Sequence, residues 1–99
     1  MEKIYPKPIA DIEKTDKQLF EAVKNIYDFT MAPGELDTKT KMLIMIALDA
    51  YHGASEGVEI LSDRARKLGA TDSQIAETLR VAYLTKGMGT LVASRFAYR

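Results

Sequence analysis

The chain contains no cysteine among its 99 residues. This absence excludes disulfides, thiolate chemistry and any metal site built on cysteine. The chain also lacks a surplus of charge, because 14 Lys and Arg residues balance 14 Asp and Glu residues. A general binder of nucleic acid or of an anionic membrane needs a cationic surplus, so we expect neither partner.

Long apolar segments are missing as well. The longest unbroken apolar run covers residues 42–48, which is far short of the about 20 residues that span a bilayer. No apolar segment of the secretory type follows the amino terminus. We therefore expect a cytoplasmic protein without a membrane-spanning segment.

The apolar run itself is the most informative stretch that is present. Met, Leu and Ala outnumber β-branched residues in it, which favours a helix, although a short apolar run is also compatible with a strand. A helix that is apolar on every face has to be buried on every face. The run therefore predicts a buried central helix, surrounded by other helices and by a second subunit.

The remaining chain predicts one all-α domain. Pro6 and Pro8 favour an extended amino-terminal segment over residues 1–14, and a single helical domain is expected over residues 15–99. Capping and breaking residues divide that domain into about five helices. The predicted starts are near Thr15, Asp37, Ala54 and Thr71, and the predicted breaks are at Gly53, Gly69, Gly87 and Gly89.

Two stretches resemble a known family. They are residues 36–41, LDTKTK, directly before the apolar helix, and residues 65–71, ARKLGAT, followed by QIAE at 74–77. Their order and spacing are similar to those of the carboxymuconolactone decarboxylase family, which includes the alkyl hydroperoxidase D-like proteins. The resemblance implies an all-α helical-hairpin domain that assembles as a homo-oligomer, a trimer or a hexamer.

The resemblance also implies where the family's reactive residues would lie. The peroxidase branch has a Cys-x-x-Cys pair followed by a His, and these positions are occupied here by Ala54, Gly57 and Leu61. The family's glutamate is replaced by Met42. None of these four side chains can donate a proton or supply the thiolate on which the peroxidase chemistry depends.

The departure from the family pattern predicts a protein without catalytic residues, cofactor or metal at that position. We expect a degenerate active site that serves as an oligomeric binding or structural module. The former site would form an apolar pocket lined by Met42, Ala54, Gly57 and Leu61, which would suit a small apolar ligand.

An alternative is an enzyme of the same family with a relocated site for peroxide reduction or lactone decarboxylation. Asp49, His52 and Glu56 would share one face of a continuous helix and could then bind a divalent ion or move a proton. Gly53 interrupts that helix, which favours surface roles for all three. Ser55 is a candidate nucleophile or, more simply, a helix cap.

Aromatic residues add one further candidate for ligand binding. Tyr51 and Tyr83 would line a pocket if they faced an open space, whereas buried tyrosines usually pack and donate a hydrogen bond. The five methionines would form an adaptable binding surface if exposed, or fill the core if buried.

Overall fold

A computed structural model describes residues 5–98 of the chain. These residues form five α-helices and no strand, which confirms the predicted all-α class. The helices are α1 (Lys7–Ile12), α2 (Lys17–Met31), α3 (Thr38–His52), α4 (Ser55–Lys67) and α5 (Asp72–Ser94), followed by a 3-10 turn (Arg95–Tyr98). None of the helices in this part of the chain has the length and apolarity to cross a bilayer.

The chain divides into two compact units, residues 1–34 and residues 35–99. The predicted boundary at residue 15 therefore does not coincide with the division after Gly34. A single domain over residues 15–99 stays a prediction, and the two units are described separately.

The first unit corrects the prediction of an extended segment over residues 1–14. Helix α1 begins at Lys7, with Pro6 as its N-cap and Pro8 in its first turn. Proline is tolerated there because the first amides of a helix have no acceptor within the helix. The prediction of extended structure is therefore wrong for Lys7–Ile12. Residues 1–4 lie outside the part of the chain that the structure describes.

Tyr5 packs against α2 in this unit. The Tyr5 hydroxyl donates to Asp28, with distances of 3.0 and 2.9 Å to its two carboxylate oxygens. Its ring meets Phe20 and Tyr27 edge to face, at centroid separations of 6.1 and 5.6 Å. Desolvation by burial, followed by the hydrogen bond to Asp28, raises the pKa of Tyr5. The amino-terminal segment is therefore attached to α2 by both polar and aromatic contacts.

The second unit is built around α3, which packs against both α4 and α5. Its start is well defined, because the Thr40 amide donates to the Asp37 carboxylate at 2.7 Å. Its end is equally clear, because Gly53 has a left-handed conformation with φ of 76°. The sequence allows either Asp37 or Thr38 as the cap, and the structure has Asp37 in that role; the predicted break at Gly53 is confirmed.

Burial of α3 is one-sided in the single chain. Met42 and Ile46 are 6% and 0% exposed, whereas Ile44 and Leu48 are 45% and 56% exposed. The helix is central, as predicted, but the chain by itself does not cover all of its faces. Covering of the remaining face by a second subunit stays a prediction.

The connection from α4 to α5 follows its local sequence signals. Gly69 is left-handed, with φ of 97°, and ends α4. At the start of α5 the Gln74 amide donates to the Thr71 hydroxyl, and the Gln74 side chain accepts from the Thr71 amide. This reciprocal pair is a capping box, and it confirms the helix start predicted near Thr71.

Helix α5 corrects the prediction of a break at Gly87 and Gly89. It runs without interruption from Asp72 to Ser94. Neither glycine has a positive φ, so nothing in the backbone requires glycine at these positions. The helix therefore continues through both positions in spite of the low helix propensity of glycine.

We predict that Gly89→Ala stabilises the protein. A Cβ at position 89 would meet no atom within 4 Å. Alanine should therefore add about 0.5–1 kcal/mol to the free energy of unfolding, the usual gain over glycine inside a helix. Urea denaturation of the variant would measure this gain. Gly53→Ala is the control, because its positive φ should make the same substitution destabilising; a destabilised Gly89→Ala would contradict the prediction.

We also predict a pH-dependent cap at α3. Hydrogen bonds from Thr40 lower the pKa of Asp37 below its usual range. A depressed pKa in the folded state gives stability that is complete above the unfolded-state pKa and disappears as the pH falls through the folded-state pKa. Asn caps helices as well as Asp does but does not titrate. Below about pH 4 the wild type should therefore lose stability relative to Asp37→Asn, which keeps its cap.

Thermal unfolding of both proteins between pH 7 and pH 2 would measure this shift. The comparison cancels the titration of all other carboxylates, which both proteins share. A difference that stays constant over the whole range would show that the cap does not depend on ionised Asp37.

Candidate functional site

The junction of α3 and α4 contains most of the residues that the sequence singled out. The Gly53 amide donates to the Ala50 carbonyl at 3.1 Å, and the Ala54 amide donates to the Asp49 carbonyl at 2.8 Å. These bonds reverse the chain, so that α4 returns along α3. Ala54 is the N-cap of α4, and it makes no side-chain hydrogen bond.

Asp49, His52 and Glu56 do not share one continuous helix. The first two lie in the last turn of α3, and Glu56 lies in the first turn of α4, beyond the left-handed Gly53. The His52 ring is exposed and meets the Tyr51 ring edge to face at 5.5 Å. Within residues 5–98 no group of three or more His, Asp or Glu side chains is placed to hold a metal ion.

Ser55 does not have the predicted role of a cap. It is the first helical residue of α4, and the N-cap position before it is occupied by Ala54. The Ser55 amide donates to the Gly53 carbonyl at 3.0 Å. This leaves the amino terminus of α4 without the side-chain acceptor that serine, threonine or aspartate would supply.

Asp49 approaches α4 closely at Gly57. A Cβ built on Gly57 would overlap Oδ2 of Asp49 and would lie 3.0 Å from its Cγ. The half-buried carboxylate therefore occupies the space into which any side chain at position 57 would project. It also lies beside the first turn of α4, where the helix dipole favours a negative charge.

Asp49 and Gly57 should be energetically coupled. We predict that Gly57→Ala lowers the free energy of unfolding by about 1 kcal/mol, because the new methyl group displaces the carboxylate. In an Asp49→Ala background the same change should instead stabilise by about 0.5–1 kcal/mol, the ordinary gain over glycine in a helix. A double-mutant cycle by urea denaturation measures the coupling. Equal effects in both backgrounds would show that the close approach has no energetic consequence.

Of the four residues of the predicted pocket, Met42 lies on α3, Ala54 is the N-cap of α4, and Gly57 and Leu61 lie on α4. Met42 and Leu61 are buried, Gly57 is half-buried and Ala54 is exposed. Ser62, beside Leu61, is also buried. No buried side-chain nitrogen or oxygen in the described residues lacks a hydrogen-bond partner. A ligand at this position stays a prediction.

A separate cleft of about 450 Å³ opens between the carboxyl-terminal end of α3 and the middle of α5. Both tyrosines that the sequence suggested as pocket residues border it. The lining residues are Ala50, Tyr51, Leu79, Ala82, Tyr83, Lys86, Gly87 and Thr90. The cleft is therefore mainly apolar and aromatic, with one ammonium group.

Lys86 supplies the ammonium group of this cleft, and the sequence did not indicate that role. Its Nζ donates to the Tyr51 carbonyl at 2.8 Å and lies 5.5 Å from the centre of the Tyr51 ring. A cation at this place satisfies a carbonyl in the last turn of α3 and complements the helix dipole. Residues 51 and 86 are 35 positions apart, so no local pattern indicates their contact.

Comparison with known proteins finds a matching family and a relative of known sequence. The sequence model of the carboxymuconolactone decarboxylase family matches residues 17–99. An uncharacterized protein of Methanocaldococcus jannaschii is 27% identical over 77 residues, which are 78% of this chain and 72% of that protein. No solved structure matches the chain.

Proposed function

The chain belongs to the carboxymuconolactone decarboxylase family, and from this premise we propose that it is an oligomeric binding or structural module with a degenerate active site. On this proposal the helical hairpin of α3 and α4 is retained as a scaffold. The thiol-dependent peroxide chemistry of the family's peroxidase branch is absent, and the protein acts by binding a small apolar molecule or by assembling.

One observation carries the proposal. Where the family resemblance places a second cysteine, α4 has Gly57, and the carboxylate of Asp49 fills the adjoining space. A thiol would need that space and would also meet a negative charge, which disfavours thiolate formation. The surroundings of position 57 therefore differ from a peroxidase site by more than the loss of one sulfur atom.

The open cleft between α3 and α5 is the favoured place for a ligand. Its walls include two tyrosines and aliphatic residues, which suits an aromatic or aliphatic molecule of small size. Around Met42 and Leu61, by contrast, the side chains are buried and a ligand would have to displace them. The pocket predicted around Met42, Ala54, Gly57 and Leu61 is therefore the second choice.

The alternative is an enzyme of the same family with a site near His52. Its support is that Asp49 and His52 lie in the same turn of α3 and that Glu56 follows directly after the junction. Such a site would use the imidazole as a proton carrier close to neutral pH.

Activity and binding assays separate the two proposals. We predict that the wild-type protein neither reduces peroxide with a dithiol donor nor decarboxylates a lactone above the rate of a blank. We also predict that p-cresol raises the Tm in a concentration-dependent manner, because a ligand that binds only the folded state stabilises it. Thr90→Trp, which fills the cleft from its rim, should abolish the shift.

Two controls make the result specific. Thr85→Trp places the same side chain on α5 but outside the cleft lining, so it should retain the shift. His52→Ala should show the same rates as the wild type in both activity assays, at the level of the blank. Wild-type turnover that is lost in His52→Ala would favour the relocated enzyme, and a p-cresol shift that survives in Thr90→Trp would reject the cleft.

A further inference from the structure

Helix α5 has a second apolar face that nothing in its own unit covers. Ile75 and Ala82 are buried on its inner side, where the helix packs on α3. On the other side lie Val81, Leu84, Met88 and Leu91, which we call the outer stripe, and each is 50–70% exposed. A contiguous exposed apolar patch on a small protein usually marks an interaction surface.

The spacing of the outer stripe is that of a helix-pairing seam. Its four members follow one another at intervals of three, four and three residues. Glu77 precedes the stripe by four residues, and Arg95 follows it by four residues. A mean period of 3.5 residues is the period with which two helices pack side by side in a left-handed coiled coil.

The charged residues at the two ends of the outer stripe indicate the partner and its orientation. Glu77 lies on α5, and Arg95 is its C-cap, with helical backbone angles. Both are exposed, and at 1.5 Å per residue they lie about 27 Å apart along the helix axis. If a second α5 lies antiparallel, Glu77 of each copy faces Arg95 of the other. Val81 then faces Leu91, and Leu84 faces Met88. A parallel pair would instead place like charges together at both ends, which is unfavourable.

We propose that the outer stripe of α5 is the surface on which a second copy of this chain docks, with the two α5 helices antiparallel about a two-fold axis near residue 86. The proposal rests on the oligomeric role proposed above and names its interface. This interface is isologous, because both copies use the same stripe. Two subunits therefore satisfy it completely, and no further copy can join through the same stripe. Larger assemblies would combine such pairs through other surfaces.

A charge reversal tests the partner and its orientation. Glu77→Arg alone and Arg95→Glu alone should each weaken association about tenfold, because each places like charges together at both ends of the symmetric pair. The double variant Glu77→Arg/Arg95→Glu should recover the wild-type dissociation constant, since the two ion pairs are restored in reverse. Sedimentation equilibrium at low salt measures all three.

Glu59→Arg is the matched control for this series. It reverses an exposed glutamate on α4, away from the outer stripe, and should leave association unchanged. Circular dichroism checks that each variant remains helical. Two single variants that associate like wild type, or a double variant weaker than either single one, would overturn the proposal.

Cysteine cross-linking tests the geometry directly, because the chain has no native cysteine. In the antiparallel pair two copies of Leu84→Cys lie within about 10 Å, given helix axes 8–10 Å apart, and a short bis-maleimide should join them. Ser73→Cys is on the same face of α5, but its two copies lie about 39 Å apart along the axis and should not be joined. Efficient cross-linking of both variants would indicate a parallel pair and reject the proposal.

The outcomes distinguish this interface from the broader proposal of assembly. An oligomer in which Leu84→Cys resists cross-linking rejects the α5 pair but leaves an oligomeric module in place. A monomer at every concentration rejects both, and would mean that the outer stripe is covered by another segment of the same chain or by a different protein. Cross-linked Leu84→Cys together with rescue by the double charge reversal supports the α5 pair.

Discussion

The packing of one face of α3 against α4 and α5 is the interaction on which the second unit depends. Ile46 is fully buried at its centre, and Met42 is buried one turn earlier. The Asp37 carboxylate caps the amino-terminal end of the helix, and Lys86 donates to a backbone carbonyl at its carboxyl-terminal end. Because α4 and α5 each pack on α3, loss of this face would remove the support of both.

The same arrangement positions every candidate site of the chain. The reversal at Gly53 brings α4 back along α3, which places Gly57 against the Asp49 carboxylate. The packing of α5 on the carboxyl-terminal end of α3 forms the cleft of Tyr51, Tyr83 and Lys86. On the proposed function the family scaffold is retained, and the cleft between α3 and α5 serves for binding.

Apolar surface left over by the single chain is the second constraint. Ile44 and Leu48 on α3 and the outer stripe of α5 are exposed although they are apolar. A domain of this size has too little interior to bury both faces of two apolar helices. The excess gives a physical reason for assembly, and the charges at Glu77 and Arg95 give the proposed pairing its direction.

The sequence by itself determined the helical class and several helix ends. Asp37, Gly53, Gly69 and the Thr71 capping box act through hydrogen bonds and φ angles within a few residues, so they can be recognised locally. The start of α1 at Pro6 was missed, because proline both disfavours helix interiors and suits helix starts.

Tertiary structure alone decided which faces are buried and which distant residues meet. The apolar run at residues 42–48 does not show which side α4 and α5 will cover, and the two glycines at 87 and 89 do not show that α5 continues through them. The approach of Asp49 to Gly57 depends on the angle of the hairpin, and the contact of Lys86 with Tyr51 depends on the crossing of α3 and α5. These contacts join separate helices, and the spacing of residues along one helix does not identify which residues of another helix they will meet.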